Sequence, residues 1–211
     1  MLKLRVTPRS PFARKCMMVA LEKGIFGKLE LSATDLYGEN QDIDEDNPLR
    51  KVPALRLEDG TTLFDSPVIC EYLDWSDGDP IFHPQEGEMR FKALKLQALG
   101  DGLTEAPQSH YKELARPEKF RSEEMVMKHA NAIDRIITWT EKNFDLVEGP
   151  MTIGGIALAC GLSYVNERQP DTNWHYKNPK LGAWYCGISE RESFQATTKQ
   201  ANAKRLGVSN K

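Results

Sequence analysis

Lys51-Val52-Pro53-Ala54-Leu55, followed ten residues later by Asp65-Ser66-Pro67-Val68-Ile69, is the stretch on which the fold turns. Ala54-Leu55-Arg56-Leu57 reads as a strand and Gly60 as a hairpin turn. Ser66 then falls at a helix N-cap, with Pro67 at the first helical position. Val52-Pro53 suits a cis peptide, because proline cuts the cis penalty to roughly 0.5–1 kcal/mol, and such a turn leaves the Val52 N–H and C=O unpaired. An extended peptide-like ligand can pair with both. The open amides at the helix start attract a carboxylate, and Asp65 beside them suits an ammonium group. The same residues also parse as a plain hairpin and a capped helix, so the segment that precedes them has to decide.

That segment opens with Leu2-Lys3-Leu4-Arg5-Val6, alternating as a half-buried strand, and breaks through Thr7-Pro8-Arg9-Ser10-Pro11 into a helical pattern. Phe12, Cys16, Val19, Ala20 and Lys23 share helical spacing, and Gly24 supplies the stop. Ser10 is therefore an N-cap candidate. A hydroxyl there lies at the positive end of a helix among amide donors, where an anion such as a thiolate is stabilised, although capping alone accounts for a serine at this place.

Ser10-Pro11-Phe12-Ala13-Arg14-Lys15, Asn47-Pro48 with Lys51-Val52-Pro53-Ala54-Leu55, and Asp65-Ser66, in this order and spacing, resemble the glutathione S-transferase superfamily and its thioredoxin-like N-terminal domain. Gly149-Pro150-Met151-Thr152-Ile153 leading into Ile156-Ala157-Leu158-Ala159-Cys160, and Asn178-Pro179-Lys180-Leu181 with Trp184-Tyr185, are similar to the helical C-terminal domain of bacterial members. The resemblance spans residues 2 to 195. It implies a glutathione-dependent transferase in which Ser10 hydrogen-bonds the glutathione sulfur and Val52, beside Pro53, pairs with the cysteinyl unit. Asp65 and Ser66 take the γ-glutamyl end, with Phe12 and Lys51 also at the site. Glutathione is then a co-substrate, its partner a small hydrophobic electrophile, and the protein a cytoplasmic homodimer that needs no metal. In some members a carboxylate at the place of Asp101 reaches the glutathione ammonium across the dimer interface; an exposed helix carboxylate is the other reading of that residue.

Lowering a thiol pKa from about 8.5 by roughly two units takes about 2.7 kcal/mol, which a charge-assisted hydrogen bond and a helix end can supply. Three positions depart from the family pattern. Arg9 adds a cation beside Ser10, and Arg50 stands where glycine is common, favouring an anionic ligand or obstructing the entrance. Gly155 replaces the usual Asp three residues after Thr152, so that capping box keeps one of its two reciprocal bonds. The same resemblance leaves room for a glutathione-dependent isomerase, dehalogenase or peroxidase, or for a non-catalytic interaction protein that has kept the fold.

The net charge of −3 over 211 residues, with no basic run, argues against a nucleic-acid binder. Cys16, Cys70, Cys160 and Cys186 are too scattered for a disulfide or zinc framework and read as reduced core thiols; the four histidines have no metal-ligand spacing. No apolar run approaches the ~20 residues that cross a membrane.

Strands near 2–6, 29–33, 54–58 and 62–64, with helices near 11–24 and 66–74, give a βαβ-ββα order: an α+β fold whose residues 1–77 form a small mixed-sheet domain. The polar Asp35 to Asn47 stretch reads as a loose short helix or loop. Residues 78–85 form a linker, and residues 86–211 an all-α domain, with helices expected near 86–106, 118–145, 152–166 and 179–190. Gly100 and Gly102 inside the first of these imply close packing or a kink. Leu103, Pro107 and Tyr111 suit either a substrate wall or simple helix packing, and Trp174, Trp184 and Tyr185 read as packing aromatics. The polar tail from Thr197 is expected to be partly disordered or draped over the surface.

Overall fold

The computed structural model describes residues 1–36, 42–79 and 81–208; Tyr37 to Gln41, Pro80 and the last three residues lie outside it, and with them part of the expected Asp35–Asn47 loop. Four strands and nine α-helices are present among the described residues: β1 (Leu2–Val6), α1 (Pro11–Glu22), β2 (Leu29–Ala33), β3 (Ala54–Arg56), β4 (Thr62–Leu63), α2 (Ser66–Trp75), α3 (Gly87–Leu114), α4 (Glu123–Lys142), α5 (Ile153–Arg168), α6 (Trp174–Lys177), α7 (Pro179–Ser189), α8 (Glu192–Gln195) and α9 (Lys199–Leu206). They form two compact units. One runs from Met1 to His83 and takes in the segment from Glu190 onward; the other is Pro84–Ser189.

In the first unit the sheet order is β2-β1-β3-β4, with β1 parallel to β2 and antiparallel to β3, and β4 antiparallel to β3. This is the mixed sheet expected from the βαβ-ββα pattern. Leu4, Val6, Ala54 and Leu55 are fully buried, so alternation along β1 does set its core face. Helix α1 is enclosed on almost all sides, from Ala13 through Ala20, Arg14 and Lys15 included. Lys23 is its C-cap and Gly24, at φ +72°, turns the chain out of it.

The segment from Glu190 straps α1 at both ends. Arg191 grips the Glu22 carboxylate with Nε at 2.8 Å and Nη2 at 2.6 Å, and the Ser193 hydroxyl donates to the same carboxylate. Those bonds, Arg191 first, hold the Glu22 carboxyl below its usual range. Eight residues back along the helix, the Arg14 guanidinium lies 4.0 Å from the Phe194 ring centre, donates to the Phe194 carbonyl at 2.9 Å and to Thr197 Oγ1 at 3.3 Å. The tail expected to drape is a folded helix, α9, capped by Thr198 and closed by left-handed Gly207 at φ +64°.

In the second unit Leu96, Leu103, Ile133, Ile137, Leu158, Leu162, Trp174 and Leu181 form one apolar core, with Trp184 and Tyr185 packed against it. Helix α3 runs past the expected stop at residue 106, straight through Pro107 to Leu114. Proline there removes a backbone bond, but Leu103, Ala106 and Pro107 are all buried, and that packing outweighs it. The expected helix from 118 is a 3-10 turn, Glu118–Phe120, and α4 starts only after Ser122, whose hydroxyl caps Met125 N–H at 3.3 Å.

Glycines set the crossing of α3 and α5. A Cβ on Gly100 would lie 2.4 Å from the Ala157 carbonyl carbon and from Leu158 N, one on Gly154 would lie 2.5 Å from the Ala93 oxygen, and one on Gly161 would lie 2.8 Å from the Gly100 oxygen. Close packing is thus the reason for Gly100. Gly102 has no such reason, its nearest neighbour being Ile136 Cδ1 at 4.0 Å. Thr152 caps α5 by accepting from Gly155 N–H at 3.4 Å, the one bond that the incomplete capping box retains. Cys16, Cys70 and Cys160 are core thiols as expected, whereas Cys186 is exposed.

Candidate functional site

Strand register brings three of the sequence-predicted segments to one end of the sheet. Arg5 pairs with Ala54, so Val52-Pro53 lies beside the end of β1 that leads through the Thr7–Ser10 turn to Ser10. Leu63 pairs with Leu55, so the chain leaves β4 toward that same end and reaches Asp65-Ser66 there. Helices α1 and α2 then pack together behind it, where Cys16 Sγ lies 3.9 Å from the Ser66 carbonyl oxygen and 3.7 Å from Cys70 Sγ. Ser10 is six residues from Cys16, roughly 9 Å of helix, which is the length scale of an extended tripeptide.

At this edge several polar groups are left open. The Val52–Pro53 bond is cis, and neither the Val52 N–H nor its carbonyl has a hydrogen-bond partner among the described residues. Phe64–Asp65 is a second cis bond. Helix α2 starts one residue earlier than the sequence implied: Asp65 is the N-cap, Ser66 the first helical residue and Pro67 the second. The exposed Asp65 carboxylate makes no capping bond, and neither it nor the exposed Lys51 ammonium has an ion-pair partner among the described residues. Ser66 is buried.

Ser10 is the N-cap of α1, its Oγ accepting from Ala13 N–H at 3.1 Å. A hydroxyl that accepts there keeps its own proton to donate, so the residue can cap the helix and hydrogen-bond an anion together. The two readings of Ser10 are therefore compatible. Phe12 is half-buried in the first turn, with Lys15 Nζ 6.0 Å from its ring centre.

Sequence reasoning missed what holds the Lys51-Val52 loop in place. Asn47 is fully buried: its amide donates to the Lys51 carbonyl at 2.8 Å, and its Oδ1 accepts from Leu49 N–H at 3.0 Å. Neighbouring Asp46, also buried, binds Arg5 Nε at 2.6 Å and Arg56 Nε at 2.5 Å, tying the loop to β1 and β3. Burial opposes the Asp46 charge, but the two guanidiniums outweigh it and hold its carboxyl below the usual range. The signal was present as an arginine on a strand whose neighbours are core residues, facing an acidic loop. Arg50 adopts φ +52°, the left-handed conformation that favours glycine, and its guanidinium is occupied by Asp44 at 2.6 Å.

A family model described as the glutathione S-transferase N-terminal domain matches residues 9–75. An uncharacterized GST-like protein of Escherichia coli K12, YibF, is 32% identical over 201 residues, covering 93% of this chain and 98% of its own length. The chain belongs to the glutathione S-transferase family. Among solved structures, a glutathione transferase family member from Pseudomonas fluorescens Pf-5 with bound glutathione is 36% identical, covers 94% of this chain and 98% of its own, and superposes with a TM-score of 0.88. A glutathione S-transferase from Methylobacillus flagellatus KT, also with glutathione bound, is 30% identical, with 94% and 99% coverage and a TM-score of 0.88.

In this member of the family, Ser10, Phe12, Lys51, Val52, Pro53, Asp65 and Ser66 all belong to the sheet-bearing unit, and Asp101 belongs to α3 of the helical unit, half-buried. Leu103 is fully buried in the helical core, which fits the packing alternative of its two readings; Pro107 is buried as well, and Tyr111 is exposed. No group of three or more His, Cys, Asp or Glu suited to a metal occurs among the described residues, and no described helix is long and apolar enough to cross a membrane.

Proposed function

We propose that this protein binds glutathione at the sheet edge and conjugates its thiolate to a small hydrophobic electrophile. The observation that carries the reading is the convergence, at one end of the sheet, of the open Val52 backbone, the open Asp65 carboxylate and the N-cap hydroxyl of Ser10. Val52 offers a donor and an acceptor to the cysteinyl unit of the ligand, as an added strand would. Asp65 receives the γ-glutamyl ammonium, and the Ser66 end of α2 its carboxylate, with Lys51 and Phe12 at the margins. The Ser10 hydroxyl donates a hydrogen bond to the sulfur while the α1 terminus adds positive potential, so the thiol releases its proton to solvent and the thiolate is favoured at neutral pH. Attack on an electrophilic carbon then forms the C–S bond and expels the leaving group, the protein contributing position and desolvation.

Bound glutathione in the Pseudomonas and Methylobacillus relatives supports the ligand assignment. The reading extends to a cytoplasmic homodimer in which Asp101 reaches the partner's glutathione. Calorimetry with glutathione, and turnover of a small aromatic halide by wild type and Ser10→Ala, test it together. Binding with turnover at least about tenfold lower in the variant is expected, a loss of about 1.4 kcal/mol in the transition state. Unchanged turnover removes Ser10 from the mechanism, and absence of glutathione binding removes the transferase reading altogether.

A further inference from the structure

We propose that Arg168, at the end of α5, forms an anion-binding site with Tyr111 and Tyr164 that takes a carboxylate attached to a flat apolar group. The Arg168 guanidinium lies 4.3 Å from the Tyr111 ring centre and 5.1 Å from that of Tyr164, between side chains from α3 and α5. Two aromatic faces attract the cation but accept no conventional hydrogen bond from its five N–H donors. Its Nε is buried without a partner, and no carboxylate pairs with Arg168 among the described residues. The buried guanidiniums of Arg5 and Arg14, by contrast, are bonded, Arg5 to Asp42 and Asp46 and Arg14 to Phe194 and Thr197. Arg121 also has a buried Nε without a partner, but its Nη2 donates to the Leu114 and Arg116 carbonyls, whereas Arg168 donates no hydrogen bond among the described residues.

An arginine in such a position closes the C-terminal end of α5, where a cation is favoured, but that role leaves the guanidinium donors unspent. What satisfies a planar fork held between rings is a planar acceptor: a carboxylate binds two of its donors in parallel. The rest of the site suits the remainder of such a ligand. Tyr111 is 49% exposed, so its ring offers a stacking face at the surface. Beside it the Gln169 amide lies 3.2 Å from His110 Nδ1, and burial, with the nearby His129 adding to it, keeps His110 below its ordinary range. His110 is then neutral at pH 7, which leaves Arg168 as the charge that selects the ligand. A neutral analogue loses the charge-assisted pair, and a bare small anion loses the stacking.

All these residues lie in the helical unit, and the inference does not depend on glutathione binding. Benzoate is the probe, with benzyl alcohol as its uncharged counterpart, acetate as its ring-free one and an Arg Nε–Hε correlation spectrum as the readout. Expected are a saturable shift of the Arg168 Nε–Hε signal with benzoate and about tenfold or weaker response to benzyl alcohol and acetate. Arg168→Met should abolish benzoate binding by calorimetry, Arg168→Lys should weaken it for want of the fork, and Tyr111→Ala should weaken it for want of the stack. Ser10→Ala should leave it intact, which separates this site from the one proposed for glutathione. Benzoate binding that survives Arg168→Lys and Tyr111→Ala unchanged overturns the proposal. So does equal binding of benzyl alcohol, or an Arg168 signal that benzoate does not move.

Discussion

Replacing Gly100 and Gly102 in turn with alanine separates packing from helix propensity within one turn of α3. Alanine is favoured over glycine by about 1 kcal/mol in a helix interior, so on local grounds both variants gain. At Gly102 the new methyl meets only Ile136 Cδ1 at 4.0 Å, an ordinary contact, and the gain stands. At Gly100 the methyl would sit 2.4 Å from two backbone atoms of α5 and 2.8 Å from a third. Carbon atoms pack at about 3.5–4.0 Å, so the helices must part by roughly 1 Å. Backbone cannot swing aside as a side chain can. Overpacking of this kind costs about 1–3 kcal/mol, and a backbone clash belongs at the upper end, for a net loss near 2 kcal/mol after the propensity gain. With about 2–4 °C per kcal/mol in a chain of this size, Gly100→Ala should melt roughly 4–8 °C lower and Gly102→Ala roughly 2–4 °C higher. Calorimetric melting of the two single variants reads the difference. Shifts of the same sign would refute the view that these glycines have separate causes.

Gly155→Asp should raise the melting temperature, by about 1 kcal/mol of stability, because its carboxylate can return a bond to Thr152 N–H while the new Cβ, 3.1 Å from the flexible Met151 sulfur, displaces only a side-chain end. A drop in melting temperature would show that Met151 cannot yield. Asp74 makes stability depend on acid. Burial opposes its charge, but the His83 imidazole at 2.9 Å and the backbone N–H groups of Ile81, Phe82 and His83 outweigh burial and hold its carboxyl below the usual range. Its contribution is therefore complete above the unfolded-state pKa of about 3.9 and is lost as pH falls through the lower folded value. Denaturant unfolding between pH 5 and 2, as a rough window around that value, should give a shallower pH slope for Asp74→Asn than for wild type; equal slopes would remove Asp74 from the acid response.

The sheet was legible because its strands declare themselves locally: Leu4 and Val6 alternate with polar neighbours, and Gly60 marks the hairpin that pairs Leu55 with Leu63. The Ser10, Val52 and Asp65 segments were legible for the same reason, as each sits where an element starts or turns. Pro107 hid the true length of α3, since local rules end a helix there and only burial against its neighbours keeps it going. The roles of Arg168 and Asn47 were hidden for another reason. Nothing adjacent in sequence tells that Arg168 lies against the ring of Tyr111, 57 residues earlier in the chain, or that an asparagine amide closes the loop it precedes. Helix α9 is short and polar, but Thr198 and Gly207 bracketed it with the start and stop signals that had identified α1.

The strap over α1 has a consequence for how the molecule is made. Because Arg191, Ser193, Phe194 and Thr197 complete a unit begun by residues 1–83, the ribosome finishes all of α3 to α7 before the last parts of the sheet unit exist. During that interval Glu22 and Arg14 wait without their closing partners. The helical unit is, in effect, an insertion carried within the other, and the half that holds Ser10 is both the first to be translated and the last to be finished.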